Sequence, residues 1–103
     1  MIDLTFHALA EPRRREILGL LAADEMAAGA IAARFDVTRP AVSQHLAVLR
    51  AAGLVSERRD GTRRLYRARP AGLEPLRSWL GRFWDENLER LRVAAEAEME
   101  GDR

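Results

Sequence analysis

Apolar residues recur along this chain at helical spacing in several stretches, and the punctuation between them is readable. Asp3–Ala10 groups Leu4, Phe6, Ala8 and Leu9 in a short, mostly apolar segment that predicts a helix. Glu11-Pro12 starts the next one, because proline in a first turn gives up only an N–H that has no helical partner there. Ile17, Leu18, Leu20 and Leu21 supply its buried stripe and carry it to about Ala23. Asp24 reads as the N-cap of a third, short helix ending at Ala33 or Arg34. Its Met26, Ala27, Ala28, Ala30 and Ala32 allow another helix to come close. Asp36-Val37 is a turn. Thr38 then caps a fourth helix, with Pro40 in its first turn, that runs to Ala52 and stops at Gly53. Val42, Leu46 and Leu49 fall on one face of it; Pro40, Ser43, Gln44, Ala47 and Ala51 lie on the other. That second face is small and polar, suited to close approach by another molecule.

The pattern then changes. Leu54–Arg59 has strand character, Asp60-Gly61 is a hairpin turn signal, and Thr62–Arg69 returns as the second strand, anchored by Leu65 and Tyr66. Pro70 ends it. A long helix follows from Ala71 or Leu73 to about Glu98, striped with Leu73, Leu76, Leu80, Phe83, Trp84, Leu88 and Leu91. At 1.5 Å per residue it would be about 40 Å long. The predicted fold class is mainly α with a small β-hairpin, in the order α-α-α-α-β-β-α. At 103 residues the chain is one domain, 1–103.

Charge sharpens the picture. The net charge of +1 hides an uneven distribution: net −2 over residues 1–33, +6 over 34–69 and −3 over 70–103. All 17 basic residues are arginine, whose planar fork suits phosphate and guanine edges. Six of them, Arg58, Arg59, Arg63, Arg64, Arg67 and Arg69, fall in the hairpin. Such a run could simply guard a strand edge, but six arginines exceed what edge protection needs. The acidic end, Glu96, Glu98, Glu100 and Asp102, is read as solubilising. No cysteine is present, which removes disulfides and thiolate metal sites. No apolar run reaches the roughly 18 residues of a membrane span, and Met1-Ile2-Asp3-Leu4 does not resemble a signal peptide. The expectation is a cytoplasmic protein without membrane contact.

Two short helices joined by a tight turn form a helix-turn-helix, whose second helix can enter a DNA major groove. A hairpin directly after it makes a wing, and the net +6 lies on these elements. Residues 8–69 resemble the ArsR/SmtB family of bacterial winged-helix repressors. The likeness rests on three stretches: Ala8-Leu9-Ala10-Glu11-Pro12-Arg13-Arg14-Arg15-Glu16-Ile17-Leu18, residues 40–55 (PAVSQHLAVLRAAGLV), and Arg58-Arg59-Asp60-Gly61 with Leu65-Tyr66. The resemblance implies a homodimer built from the first and last helices, double-stranded palindromic operator DNA as partner, repression, and release by a small-molecule or protein effector. It places the recognition helix at 38–52 and the wing at 54–68. Arg39, Ser43 and Gln44 are expected at base edges, Arg39 forking onto guanine and Gln44 onto adenine. Ala41 is expected near a thymine methyl. Thr38 is a cap first and a phosphate contact second. For His45, half burial and a phosphate contact stand as equal readings, and Arg50 is expected on phosphate or an acidic neighbour. Arg58, Arg59, Arg63 and Arg64 are the wing's candidate contacts. Arg13, Arg14 and Arg15 sit where a helix dipole disfavours cations, so a phosphate contact and plain solvation compete.

The family's cysteine metal site has no counterpart, since the helix before the recognition helix reads Glu25-Met26-Ala27-Ala28-Gly29-Ala30-Ile31. His7 with Asp85 or Glu86 is the one intersubunit alternative, and a packed or solvent-facing histidine is the better reading. No cofactor is implied. No nucleophile–base pair, Gly-rich phosphate loop or carboxylate pair suggests an enzyme. Leu4, Phe6, Leu80, Phe83, Trp84, Leu88 and Leu91 are the expected dimer interface. The bulk of Trp79, Phe83 and Trp84 is expected to divide, one side entering the monomer core and the other the dimer. The rival function is a winged-helix module that contacts only proteins and binds no specific DNA.

Overall fold

A computed structural model describes residues 2–101. Five α-helices and one hairpin follow in the order α1 (Ile2–Leu9), α2 (Pro12–Ala23), α3 (Ala28–Phe35), α4 (Arg39–Ala51), β1 (Val55–Asp60), β2 (Arg63–Ala68) and α5 (Glu74–Gly101). A 3-10 turn, Pro70–Leu73, leads into α5. This is the α-α-α-α-β-β-α order of a winged helix-turn-helix. Asp102 of the acidic end lies outside the described residues.

Local chemistry sets most of these boundaries. Glu11 caps α2, its carboxylate accepting from the Arg14 N–H at 2.9 Å. The arginine run that opens α2 then reaches back to α1. Arg14 donates from Nε to the Ala8 carbonyl at 2.7 Å and from Nη2 to that of His7 at 3.2 Å. Arg15 donates to the Leu9 carbonyl at 2.6 Å. These cations therefore satisfy the open carbonyls at the C-terminal end of α1, where a helix dipole favours them. Arg13 pairs with Glu16 and lies over the Phe35 ring, 4.9 Å from its centroid. Thr38 Oγ1 caps α4 by accepting from the Ala41 N–H. Gly53 follows α4 in the left-handed conformation, φ +75°, which glycine adopts without a Cβ clash.

The third helix departs from expectation. Asp24 caps the C-terminal end of α2, its N–H donating to the Leu20 carbonyl, and its own backbone is extended. The helix begins only at Ala28, after Ala27. In between, Met26 exchanges both backbone hydrogen bonds with Tyr66, at 3.0 and 2.8 Å. The segment thus runs along β2 and ties the wing to the body. The hairpin also shifts by one residue. Asp60 pairs with Arg63, so the two-residue loop is Gly61-Thr62, not Asp60-Gly61. Gly61 alone has positive φ there, the II′ pattern that matches strand twist.

The core lies beneath α4. Ile17 and Leu21 of α2, Ile31 of α3, and Val42, Leu46 and Leu49 of α4 are sealed together with Ala8 and Leu54. The last helix does not join them: no residue of α5 is buried. Trp79 takes the Phe6 ring of α1 edge-on at 5.6 Å and stacks on Phe83 at 5.4 Å, yet all three stay exposed. The expected division of the aromatics between core and interface is therefore corrected, because the core is already closed by α2, α3 and α4. The radius of gyration is 17.8 Å. A compact chain of this length would have about 13 Å, and the 28-residue α5 accounts for the difference.

Candidate nucleic-acid interface

The outer face of α4 is the one predicted. Val42, Leu46 and Leu49 point inward, while Arg39, Pro40, Ser43, Gln44, Ala47, Arg50 and Ala51 are exposed. At 100° per residue these exposed positions form one arc. Arg39, Ser43 and Arg50 occupy the edge toward α3 and the wing, and Gln44 the far edge. Ala41 and His45 lie on the flank toward α2 and are half-buried. His45 Nδ1 stands 4.0 Å from the Glu11 carboxylate, so its neighbour within the chain is an acid. Thr38 is exposed and engaged as the cap.

A polar cleft of about 390 Å³ opens between α4, the start of α3 and the wing. Arg39, Ser43, Arg63, Arg64 and Tyr66 line it, with Ala27 and Ala28 as its floor. Ala27 provides no side-chain cap, so the first N–H groups of α3 are left open at this cleft. Arg39 reaches over Gly29, with its Nε 3.5 Å from where a β-carbon would sit. Small residues at 27–29 are thus what lets the arginine lie flat.

Strand register decides which arginines share this side. Opposed residues project to the same face and successive residues alternate. Arg59 pairs with Arg64 and Glu57 with Tyr66, which puts Arg59 on the face of Arg64 and Tyr66. Arg58 pairs with Leu65, Ser56 with Arg67 and Asp60 with Arg63, so Arg58, Arg67 and Arg63, which at the hairpin tip also borders the cleft, take the opposite side of the pleat. There Arg58 grips Glu25 with two hydrogen bonds, at 2.7 and 2.6 Å. That fork holds the Glu25 carboxyl below the usual carboxylate range and raises Arg58. Glu57 plays a similar part on the cleft side, accepting from Arg50 at 2.8 Å and lying 3.6 Å from Arg64. Arg59 and Arg63 have no acidic partner among the described residues.

Of the eleven residues the sequence selects, the structure gathers Arg39, Ser43, Arg63 and Arg64 around one cleft, puts Arg59 on the strand face of Arg64, and leaves Gln44 on the far edge of α4. It sets Arg58 on the far face and leaves His45 and Ala41 on the α2 flank. Tyr66 also lines the cleft, a place its reading as a strand anchor did not indicate. No group of three or more His, Asp or Glu residues capable of holding a metal is found among the described residues. No helix among them is long and apolar enough to cross a membrane.

Comparison with known proteins agrees with this geometry. A helix-turn-helix domain family matches residues 9–58. The HTH-type transcriptional regulator Rv2034 of Mycobacterium tuberculosis is 49% identical over 86 residues, spanning 84% of this chain and 80% of that protein. An ArsR-like transcriptional regulator from Rhodococcus sp. RHA1 superposes with a TM-score of 0.76 at 34% identity, covering 92% of this chain and 90% of the other. The homodimeric winged helix-turn-helix DNA-binding domain of Mb0332 from Mycobacterium bovis gives a TM-score of 0.67 at 37% identity, covering 86% and 82%.

Proposed function

The chain belongs to the ArsR family of winged helix-turn-helix transcriptional regulators, and from that membership we propose a cytoplasmic homodimeric repressor that closes a palindromic operator. The carrying observation is the cleft in which Arg39 and Ser43 of α4 face Arg63, Arg64 and Tyr66 of the wing, within the one basic third of the chain. In this reading α4 enters the major groove. Arg39, Ser43 and Gln44 meet base edges, with Ala41 at the margin. Arg59 and Arg63, which have no acid to leave, take phosphates first. Arg50 and Arg64 share Glu57 and exchange it for phosphate only at a cost. Arg58 serves mainly to hold the wing through Glu25, and Thr38 and His45 support α4 from its start and its α2 flank.

Self-association is the second half of the proposal. Leu80, Trp84, Leu88 and Leu91 of α5 and Leu4 and Phe6 of α1 are exposed on a chain whose core is complete without them. The apolar arc of α5 runs from Trp79 and Phe83 round to Leu88, about 180° at 100° per residue. That is wider than the stripe of a helix with one apolar neighbour, and α1 covers only its Trp79 edge. A second copy supplies the rest, with α1 and α5 as the interface of one domain, 1–103. A repressor of this design needs no catalytic group.

Affinity measured against salt is the test. Arg59 and Arg63 of two protomers neutralise four phosphates, which predicts a slope of log K on log[salt] of about −3.6. Selection from a random duplex library should return an inverted repeat with half-sites one helical turn, roughly 34 Å, or a multiple apart. A flat salt response with no sequence enriched would instead favour a module that contacts only proteins.

A further inference from the structure

We propose that Asn87 fixes the register in which two copies of α5 pair, an inference that rests on the self-association proposed above. Asn87 is bordered mainly by apolar residues. Of its four neighbours one turn away on the helix surface, Phe83, Trp84 and Leu91 are apolar and Arg90 is the exception, and Leu80 lies two turns back. The four apolar residues are 42%, 54%, 37% and 50% exposed, whereas Asn87 is half-buried. Its Nδ2 donates to the Phe83 carbonyl at 2.8 Å. A side-chain amide has two N–H donors and an oxygen with two lone pairs. One donor and the whole Oδ1 therefore remain open, in the middle of the surface that a second copy would cover.

Sealing that amide against leucine or tryptophan would leave it unsatisfied, which apolar surroundings penalise heavily. Matching it to the same residue of a second copy removes the penalty, because an amide is complementary to itself: each oxygen takes the other's free N–H. In a two-fold assembly a residue meets its own copy only at the axis. An axis crossing α5 at Asn87 then opposes residues equally spaced about it: Phe83 meets Leu91, Leu80 meets Ala94, and Trp84 meets the Arg90 side chain, which can lie over the indole. In the first two pairs large side chains thereby face smaller ones, the arrangement close packing favours. A slip along the seam replaces amide–amide contact with amide–hydrocarbon contact. A single buried asparagine sets register in helical pairs by this same discrimination, at some loss of affinity.

The absence of cysteine makes the test direct. A spin label on Arg82→Cys sits on the polar side of α5, away from the seam. Pulsed dipolar spectroscopy on this otherwise unaltered chain should give one narrow interlabel distance. Adding Asn87→Leu should tighten association at least tenfold in sedimentation equilibrium while splitting or broadening that distance, or adding species above dimer. A uniform Asn87→Leu dimer with the parental distance would overturn the register role alone. A parent that stays monomeric at high micromolar concentration would overturn the self-association, and the register role with it. Asn87 is not part of the closed core, so loss of folding does not confuse the result.

Discussion

Gly72 and Gly19 should respond to the same substitution with opposite signs. Gly72 lies in the 3-10 turn before α5, directly against the end of α4. A methyl group there would sit 2.8 Å from the carbonyl carbon of Gly53 and 3.3 Å from Leu54 Cα, with the Gly53 oxygen closer still. The atoms in the way are backbone, so no side chain can swing aside. Gly72 does not have positive φ, and the penalty is steric alone. Relief requires the turn to lift from the chain at 53–54, where Arg69 N–H donates to the Leu54 carbonyl at 2.8 Å and Arg69 Nη1 to that of Gly53 at 3.0 Å. Overpacking costs about 1–3 kcal/mol, and a lost hydrogen bond about 1 kcal/mol more. Gly72→Ala should therefore destabilise by about 2–4 kcal/mol. Gly19, exposed in the interior of α2, has nothing within 4 Å of its missing β-carbon. Alanine there should stabilise by about 0.5–1 kcal/mol, since glycine loses more freedom on helix formation. Urea unfolding read by circular dichroism, at one fixed protein concentration because association shifts the midpoint, measures both. A Gly72→Ala protein within 0.5 kcal/mol of the parent would show that the Gly53–Gly72 approach is not held in solution.

Three further outcomes follow from the same geometry. Arg59→Ala should flatten the salt dependence by about two units in a dimer, one per protomer, whereas Arg58→Ala should leave the slope nearly unchanged; equal slopes would refute the assignment of strand faces. Thr38→Ala should cost about 1 kcal/mol of stability through loss of the α4 cap, and Thr38→Ser should recover most of it, as read from thermal melts. Arg58 holds the Glu25 carboxyl below its ordinary value near 4.5, so the pair's stabilisation is complete above that pH and fades as pH falls through the lowered value. The parent and Glu25→Gln should thus differ at neutral pH and converge only as pH falls past the lowered value; a constant difference from neutral pH into acid would mean the ion pair does not act on folding.

Elements whose boundaries are set by their own residues were legible in the sequence. Glu11-Pro12, Thr38 with Pro40, and Gly53 each carry a local reason to begin or end a helix, and α2 and α4 fall where those residues put them. The errors come from partners distant along the chain. Asp24 has the composition of an N-cap, but Met26 pairs with Tyr66 forty residues on, and strand pairing holds the segment extended. The arginine count located the basic surface without revealing that Glu25 engages Arg58 across 33 positions. The hairpin loop lies one residue later than the Asp60-Gly61 signal suggests, which moves every cross-strand partner by two positions and so keeps each residue on its face. That shift sets Glu57, not Val55, opposite Tyr66. For α5 the amphipathic stripe was plain, but periodicity shows only that an apolar face needs covering, not which chain covers it.

The contact between Gly53 and Gly72 also bears on how the two halves of the molecule act together. Gly53 ends the recognition helix, and Gly72 lies two residues before α5 begins. Between them run only the hairpin and the bonds from Arg69 to residues 53 and 54, so the long helix and the end of α4 meet backbone to backbone. Backbone contacts of this kind have little compliance. In a dimer joined through α5, any change in the crossing of the two long helices is then delivered to the two recognition helices as a change in their separation. Half-site spacing on a duplex tolerates little error, because each α4 must meet its own major groove one turn from the other. On the dimer proposed above, a ligand bound along the α5 seam would release DNA without touching the basic cleft if it favoured a crossing in which the two α4 helices no longer match the groove repeat.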